Sequence, residues 1–260
     1  MALIADLRGA LTCSGENMQS ISTAVLDDLA PQGVLRAAIN LGNPVLAQWG
    51  PDGEPQGVSV TLAGALAHEL GVALELVTYD AAGKVFAALE TAAWDVAFMA
   101  IEPVRAEQIA FSAPYVIIEG TYLVAQEAPY RQVAELDRPG IRIAVGQGAA
   151  YDLYLSRTLK QAQLVRAETS PAAITLFFEQ ALDAAAGVRQ PLLAAAAANP
   201  GYRVLDGHFT AIHQAMAVPR GKEQGAAYVR CFVERCKASG LVQQALKRSG
   251  QGEVTVAPAA

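Results

Sequence analysis

The segment 94–115 constrains the fold of this chain more than any other part of the sequence. Residues 95–100 form a short and almost wholly apolar run, which is typical of a buried strand. Pro103 then stands where a helix would have its first residue, because proline's fixed φ suits that position and no amide proton is needed there. The segment therefore predicts a strand, a tight loop and a helix that begins at Pro103.

Arg105 falls in the first turn of this predicted helix. Backbone amides without partners and the positive end of the helix dipole lie nearby, so a cation there is poorly placed unless an anion joins it. The arrangement predicts a receptor for a carboxylate. Glu102, three residues earlier, supplies an alternative, since it can pair with Arg105 along the helix and leave nothing for a ligand.

Strands and helices alternate along the chain, as expected of an α/β protein. Predicted strands cover residues 34–39, 73–78, 95–100, 141–145, 163–167, 182–187, 202–205 and 211–218. Predicted helices cover residues 59–70, 83–91, 150–160, 171–180, 191–198, 223–239 and 242–248, with Ser170 as the N-cap of the fourth.

Two long apolar segments, 116–124 and 211–218, enclose the second run of strands and helices and predict crossings between two lobes. We expect lobe I to contain residues 33–124 and 215–250, and lobe II residues 125–214. The sheets of the two lobes should be separate. Residues 1–32 should form an extension outside the core, because their apolar residues are sparse and interrupted by charges, and residues 251–260 a loose tail.

A second candidate anion site lies at residues 145–151, where a predicted strand runs into a glycine-rich turn and a helix. Backbone amides of Gly148, Ala149 and Ala150 would be exposed at the helix start. The turn narrowly misses a dinucleotide-binding fingerprint, which needs a small residue where Tyr151 stands, so no nucleotide cofactor is expected. A plain turn that uses glycine for tight geometry is the alternative.

Several pieces together resemble one known family. Asp95-Val-Ala, Pro103-x-Arg105 and the run Phe111-Ser-x-Pro-Tyr115 are similar to motifs of the family 3 solute-binding proteins, the amino-acid receptors of bacterial ABC importers. The resemblance extends over residues 33–250. It implies a two-lobed, type II periplasmic-binding-protein fold with a ligand cleft between the lobes. It also implies that the arginine loop and the glycine-rich turn face each other across that cleft and both hold the ligand.

The chain departs from the family pattern at several ligand positions. Ala100 stands where members carry a hydroxyl and offers only its backbone amide, and Ala149 replaces a threonine. The aspartate that grips an α-amino group in the family falls near Val188. The aromatic residue that stacks on the ligand falls near Asn43 or Ala81.

The arginine that would bind a ligand carboxylate, Arg105, therefore remains. The aspartate that would bind a ligand ammonium group is missing. Glu102 is a possible replacement, and Arg189 and Gln190 are candidate polar contacts. The expected ligand is a small carboxylate, either an amino acid or a related organic acid.

Two functional classes follow from the resemblance. The first is a receptor that closes its lobes around a solute and presents the closed form to an ABC permease or a sensor. The second is an enzyme on the same scaffold, similar to the cyclohexadienyl dehydratases, whose chemistry needs a positioned acid. Glu102 is the only acidic candidate near the arginine, so we expect a binding protein without catalytic activity.

Composition limits the remaining partners. A net charge of −6 without basic clusters argues against nucleic acid, and no apolar run is long enough to span a membrane. No Cys/His spacing indicates a metal site, and no cofactor is expected. We expect the protein to be a monomer. The first residues lack the basic start and apolar length of a signal peptide. The family is typically periplasmic, but the chain as written is expected in the cytoplasm.

Overall fold

The computed structural model describes residues 21–260, and the predicted alternation of strands and helices is confirmed there. The strands are β1 (Val34–Asn40), β2 (Gln48–Trp49), β3 (Pro55–Gln56), β4 (Ala73–Tyr79), β5 (Val96–Ala100), β6 (Ile109–Ala125), β7 (Arg142–Gly146), β8 (Gln163–Ala167), β9 (Ala184–Val188), β10 (Tyr202–Val204), β11 (Thr210–Pro219) and β12 (Thr255–Val256). The α-helices are α1 (Thr23–Leu29), α2 (Val58–Leu70), α3 (Ala82–Ala87), α4 (Pro103–Ala106), α5 (Ala150–Thr158), α6 (Ser170–Glu179), α7 (Arg189–Ala198), α8 (Glu223–Ala238) and α9 (Leu241–Arg248).

Local sequence signals explain some of these boundaries. Gly71 ends α2 in the left-handed conformation (φ 69°), which glycine adopts without steric cost. The predicted N-cap of α6 is wrong by one residue, because the Thr169 hydroxyl, rather than that of Ser170, accepts the amide of Ala172 at 3.2 Å. Ser170 thereby becomes the first helical residue, and its side chain is available for other contacts.

The main sheet consists of two half-sheets joined by two long strands. The N-terminal half-sheet contains β4, β1 and β5, and the central half-sheet contains β9, β7 and β8, each with parallel pairing. Strands β6 and β11 run antiparallel between them. Strand β11 pairs with β5 on one side and β6 pairs with β9 on the other, which gives the order β4-β1-β5-β11-β6-β9-β7-β8.

The expectation of two separate sheets is wrong. Strands β6 and β11 are hydrogen-bonded to each other from the Thr210–Gly120 pair to the Pro219–Ile109 pair, so the ladder continues from one half-sheet into the other. Its register shifts between Gln214 and Ala215, near the middle of both strands. The division into residues 33–124 plus 215–250 and residues 125–214 stays a prediction. Residues 120–123 of β6 pair with β9 of the central half-sheet, although the predicted boundary assigns them to lobe I.

The expectation that the first thirty residues lie outside the core is wrong for α1; residues 1–20 lie outside the described part of the chain. Val25 and Leu29 lie four residues apart, so they share one helix face, and both are buried. Leu29 packs against Gly225 of α8 so closely that an added Cβ there would meet its Cδ2 at 2.7 Å. The Asp28 carboxylate accepts the Gly225 amide at 2.9 Å. The start of the described chain is therefore part of the fold.

The C-terminal residues also belong to the fold, so the expectation of a loose tail is wrong. Strand β12 pairs antiparallel with β6 through Val116 and Ile117, and the flanking Val254 and Ala257 are buried. Strand β12 has only two residues, which is too short for the sequence to indicate a strand. It forms because the middle of β6 supplies its hydrogen-bonding partner. Within residues 21–260, no helix is long and apolar enough to cross a lipid bilayer.

Replacing Leu29 with alanine tests whether α1 is a structural element. We expect Leu29→Ala to lower the free energy of unfolding by about 2–5 kcal/mol, because it removes a fully buried side chain and leaves a cavity against α8. Thr23→Ala, an exposed position on the same helix, should change it by less than about 0.5 kcal/mol. Urea denaturation measures both, and equal effects of the two substitutions would contradict the packing of α1.

Candidate functional site

A cavity of about 160 Å³ lies between the two half-sheets. It is bounded by the starts of α3, α5, α6 and α7 and by strands β5, β9 and β11. These helix starts meet because each follows the carboxyl end of a parallel strand, as α/β connections require. The polar side chains that line the cavity are Asn40, Asn43, Arg105, Tyr151, Ser170 and Gln214.

Arg105 is the charged group of this cavity. Its side chain is only 1% exposed, and its Nη1 donates to the Ala100 carbonyl at 3.1 Å while its Nη2 donates to the Gly148 carbonyl at 2.8 Å. The guanidinium thus joins β5 of one half to the turn before α5 of the other. Burial lowers the pKa of Arg105 to about 10, partly opposed by the negative charge of Glu102. The group therefore stays protonated at neutral pH.

Glu102 does not hold Arg105 in a direct ion pair, as the alternative from the sequence required. Its carboxylate forms an ion pair with Arg157 of α5 at 2.8 Å, and its side chain does not line the cavity. The sequence could not show this pairing because Arg157 lies 55 positions further along the chain. The Glu102 carboxylate affects the Arg105 guanidinium through its negative charge. Direct contact of Glu102 with a ligand stays a prediction.

Of the three amides predicted to bind an anion at the glycine-rich turn 145–151, two already have acceptors within the protein. The Gly148 amide donates to the Asp152 carboxylate at 2.9 Å, and the Ala149 amide donates to the Gly146 carbonyl at 3.1 Å, so both are already engaged. The backbone amide of Ala150, the first residue of α5, has no acceptor within its own helix. Ala150 lines the cavity together with Ala149.

The same turn brings the two halves into backbone contact. Gly148 has a φ of 70°, and a Cβ added there would lie 3.0 Å from the Cα of Gly83 in α3. Glycine is required for both the left-handed conformation and the close approach. With the Arg105–Gly148 hydrogen bond and the Glu102–Arg157 ion pair, this contact defines a closed arrangement around the cavity.

Ser170 and Tyr151 form a polar pair that the sequence did not single out as ligand contacts. The Tyr151 hydroxyl donates to Ser170 Oγ at 2.8 Å and accepts the Gly146 amide at 3.2 Å. Since Ser170 Oγ already accepts a hydrogen bond from Tyr151, its own hydroxyl group can donate a hydrogen bond into the cavity. Burial raises the pKa of Tyr151, so its phenol stays neutral.

Three carboxamides complete the polar lining: Asn40, Asn43 and Gln214. Asn43, a predicted contact, lines the cavity, and its buried Oδ1 has no hydrogen-bond partner. Gln214 of β11 was missed, although it lies opposite Ala100 in the antiparallel ladder. The available signal was a carboxamide inside the mostly apolar predicted strand 211–218.

Arg189 and Gln190, two other predicted contacts, lie outside the cavity lining. Arg189 donates to the Glu119 carboxylate at 2.6 Å and to the Gly207 carbonyl at 2.5 Å. Gln190 has a buried Oε1 without a hydrogen-bond partner. Contact of either side chain with a ligand stays a prediction. Within residues 21–260, no cluster of three or more His, Cys, Asp or Glu side chains is arranged to hold a metal ion.

The rest of the lining is apolar, and Val188 at the end of β9 belongs to it. Larger apolar side chains come from both halves of the molecule: Phe98, Met99, Ile174, Leu192 and Ile212. The cavity therefore offers one cation and a few neutral polar groups on an otherwise hydrophobic surface, the usual composition of a small-molecule site.

Solved structures of binding proteins share this architecture. A cysteine-binding protein from Campylobacter jejuni is 16% identical, with a TM-score of 0.77 over 89% of this chain and 99% of that one. An amino-acid ABC transporter substrate-binding protein from Streptococcus pneumoniae, bound to L-arginine, is 23% identical, with a TM-score of 0.74 over 91% and 100%. An ancestral amino-acid-binding protein, described as a precursor of cyclohexadienyl dehydratase, is 25% identical, with a TM-score of 0.73 over 86% and 98%.

These similarities confirm the two-lobed α/β fold of periplasmic binding proteins. No curated protein matches the chain. The sequence model of one family matches residues 35–251, which covers most of the chain and every element from β1 to α9 except the first residue of β1. The chain belongs to the bacterial extracellular solute-binding proteins, family 3.

Proposed function

We propose that this protein is a solute-binding receptor that closes around a small molecule bearing a carboxylate, an amino acid or a related organic acid, for ABC-type uptake or sensing. The observation that carries the proposal is the environment of Arg105. In the described part of the chain, it is the only charged side chain that lines the cavity, and it is almost completely buried.

The electrostatics of the cavity favour an anion. Arg105 donates to two neutral carbonyls, which supply dipoles but no compensating charge. A planar guanidinium binds a carboxylate through two parallel hydrogen bonds, and such charge-assisted bonds are the strong ones. The starts of α5, α6 and α7, each at least nine residues long, add their positive ends at the same place.

Ligand binding and closure are coupled because the cavity takes its walls from both halves. Asn43, Phe98 and Arg105 come from the N-terminal side, while Ala150 and Ser170 come from the central side. A ligand that touches both sets binds the closed form more tightly than the open one, which shifts the equilibrium towards closure. A permease or a sensor that recognises the closed form would then report the solute.

A dehydratase-like activity is the rival function. Elimination of carboxylate and hydroxide needs a proton donor beside the leaving group. The lining residues within 21–260 include no Asp, Glu, His, Lys or Cys, and burial raises the pKa of Tyr151, which makes its phenol a weaker proton donor. Binding without turnover is therefore favoured. An assay of prephenate and arogenate turnover tests it, and catalysis that Arg105→Ala abolishes would establish the enzyme instead.

Substitution of Arg105 tests the carboxylate anchor. A thermal-shift panel of amino acids and small carboxylic acids first identifies ligands, since one at a hundred times its Kd adds about 2.7 kcal/mol to stability. Arg105→Ala should weaken their binding by about 2–5 kcal/mol, measured by calorimetry. Arg105→Lys should weaken it less, because lysine keeps the charge but not the planar fork.

Arg203→Ala is the matched control, because Arg203 is another partly buried arginine whose guanidinium donates to backbone carbonyls, those of Gln126, Ala128 and Tyr130, outside the cavity lining. We expect it to leave ligand affinity within about twofold, that is, well below 1 kcal/mol. Denaturation curves of all variants separate lost binding from lost folding. This matters for Arg105→Ala, which also leaves the Ala100 and Gly148 carbonyls without their donor. Unchanged affinity in folded Arg105→Ala would refute the anchor.

The pKa of Arg105 predicts how binding responds to pH. Only the protonated guanidinium binds the carboxylate, and this form predominates below a pKa of about 10. Carboxylic acids are ionised above about pH 5. Calorimetric affinity should therefore be constant between about pH 6 and about pH 9 and should fall as the pH rises through 10. A loss of affinity between pH 6 and pH 7 would point to a histidine and contradict the assignment.

A further inference from the structure

We infer that the ligand is a carboxylate without an ammonium group, a short-chain organic acid such as a 2-oxo or 2-hydroxy acid, and that the cavity selects it against the matching amino acid. The inference rests on the proposed carboxylate anchor at Arg105. It goes further by assigning the chemical class of the ligand from what surrounds that anchor.

Charge complementarity is the first argument. A zwitterionic amino acid brings a cation as well as an anion, and a buried cation needs an opposite charge. Among residues 21–260, no carboxylate lines the cavity. Two acids close in the chain to lining residues are engaged elsewhere: Glu102 pairs with Arg157, and Asp152 pairs with Arg166 and accepts the Gly148 amide.

The fixed dipoles point the same way. The starts of α5, α6 and α7 direct their positive ends at the cavity, as does the guanidinium of Arg105. Every one of these groups stabilises a negative charge and repels a positive one. An ammonium in the cavity would face a positive field from several sides without a counter-charge.

Val188 occupies the position from which an acidic side chain would correct this imbalance. It ends β9 and is the N-cap residue of α7, with its side chain 9% exposed and in the cavity lining. An isopropyl group there presents only an apolar surface. Together with Phe98, Ile174 and Ile212, it forms walls that suit an aliphatic body.

A panel of matched compounds tests the inference in the intact protein. Each set contains an amino acid, its 2-hydroxy acid and its 2-oxo acid on the same carbon skeleton, from alanine, lactate and pyruvate up to leucine and phenylalanine and their analogues. Calorimetry at neutral pH compares members within a set. In the set that binds best, we expect an acid without the ammonium to bind at least about tenfold more tightly than the amino acid.

The outcomes separate the inference from the function on which it rests. An amino acid that binds as tightly as its oxo and hydroxy analogues, with affinity that depends on Arg105, would overturn the inference and keep the carboxylate receptor. A panel in which no carboxylate binds would overturn both. Val188→Asp provides a second test, because it places a carboxylate in the cavity wall. It should weaken the oxo and hydroxy acids and strengthen the amino acid by about tenfold or more relative to Val188→Asn.

Val188→Asn is the matched control, since it has nearly the shape of the aspartate variant without its charge. Thermal unfolding of both variants confirms that they fold. If the two variants shift the preference equally, the effect comes from shape alone, and charge selection at this wall is refuted. If neither variant folds, the matched panel on the unmodified protein still decides the inference.

Discussion

The buried guanidinium of Arg105 is the interaction on which the closed structure depends. It donates to the carbonyl of Ala100 at the end of β5 and to the carbonyl of Gly148 before α5, so one cation ties together the two halves of the molecule. Neutral carbonyls solvate a buried cation but leave its charge uncompensated. The energetic demand for an anion in the cavity and the closure of the two halves therefore have the same origin.

The fold places this cation where it can act. Parallel strands direct the starts of their following helices to one edge, and β6 and β11 hold the two half-sheets so that these edges face each other. The close approach of Gly148 and Gly83 completes the arrangement, because a Cβ at position 148 would lie only 3.0 Å from the Cα of Gly83. The rest of the wall is apolar or neutral, which is why we propose Arg105 as the residue that binds the ligand carboxylate.

The sequence predicted those features that local physics controls. The apolar run before Pro103 marked β5 and the position of Arg105, and Gly71 marked the end of α2. It did not predict features that depend on residues far apart in the chain. The pairing of Glu102 with Arg157 and the Tyr151–Ser170 hydrogen bond both need the tertiary structure. The errors at α1 and β12 have the same cause, since both short elements are stabilised by distant partners, α8 and β6.

A crystal structure with a bound 2-oxo acid, such as 4-methyl-2-oxopentanoate, tests the central claim most directly. The account predicts both carboxylate oxygens within about 2.7–2.9 Å of the Arg105 guanidinium nitrogens. The alkyl chain should lie against Phe98, Val188 and Ile212, with the two halves closed as described here. A carboxylate bound elsewhere, while Arg105 keeps only its bonds to Ala100 and Gly148, would contradict the account.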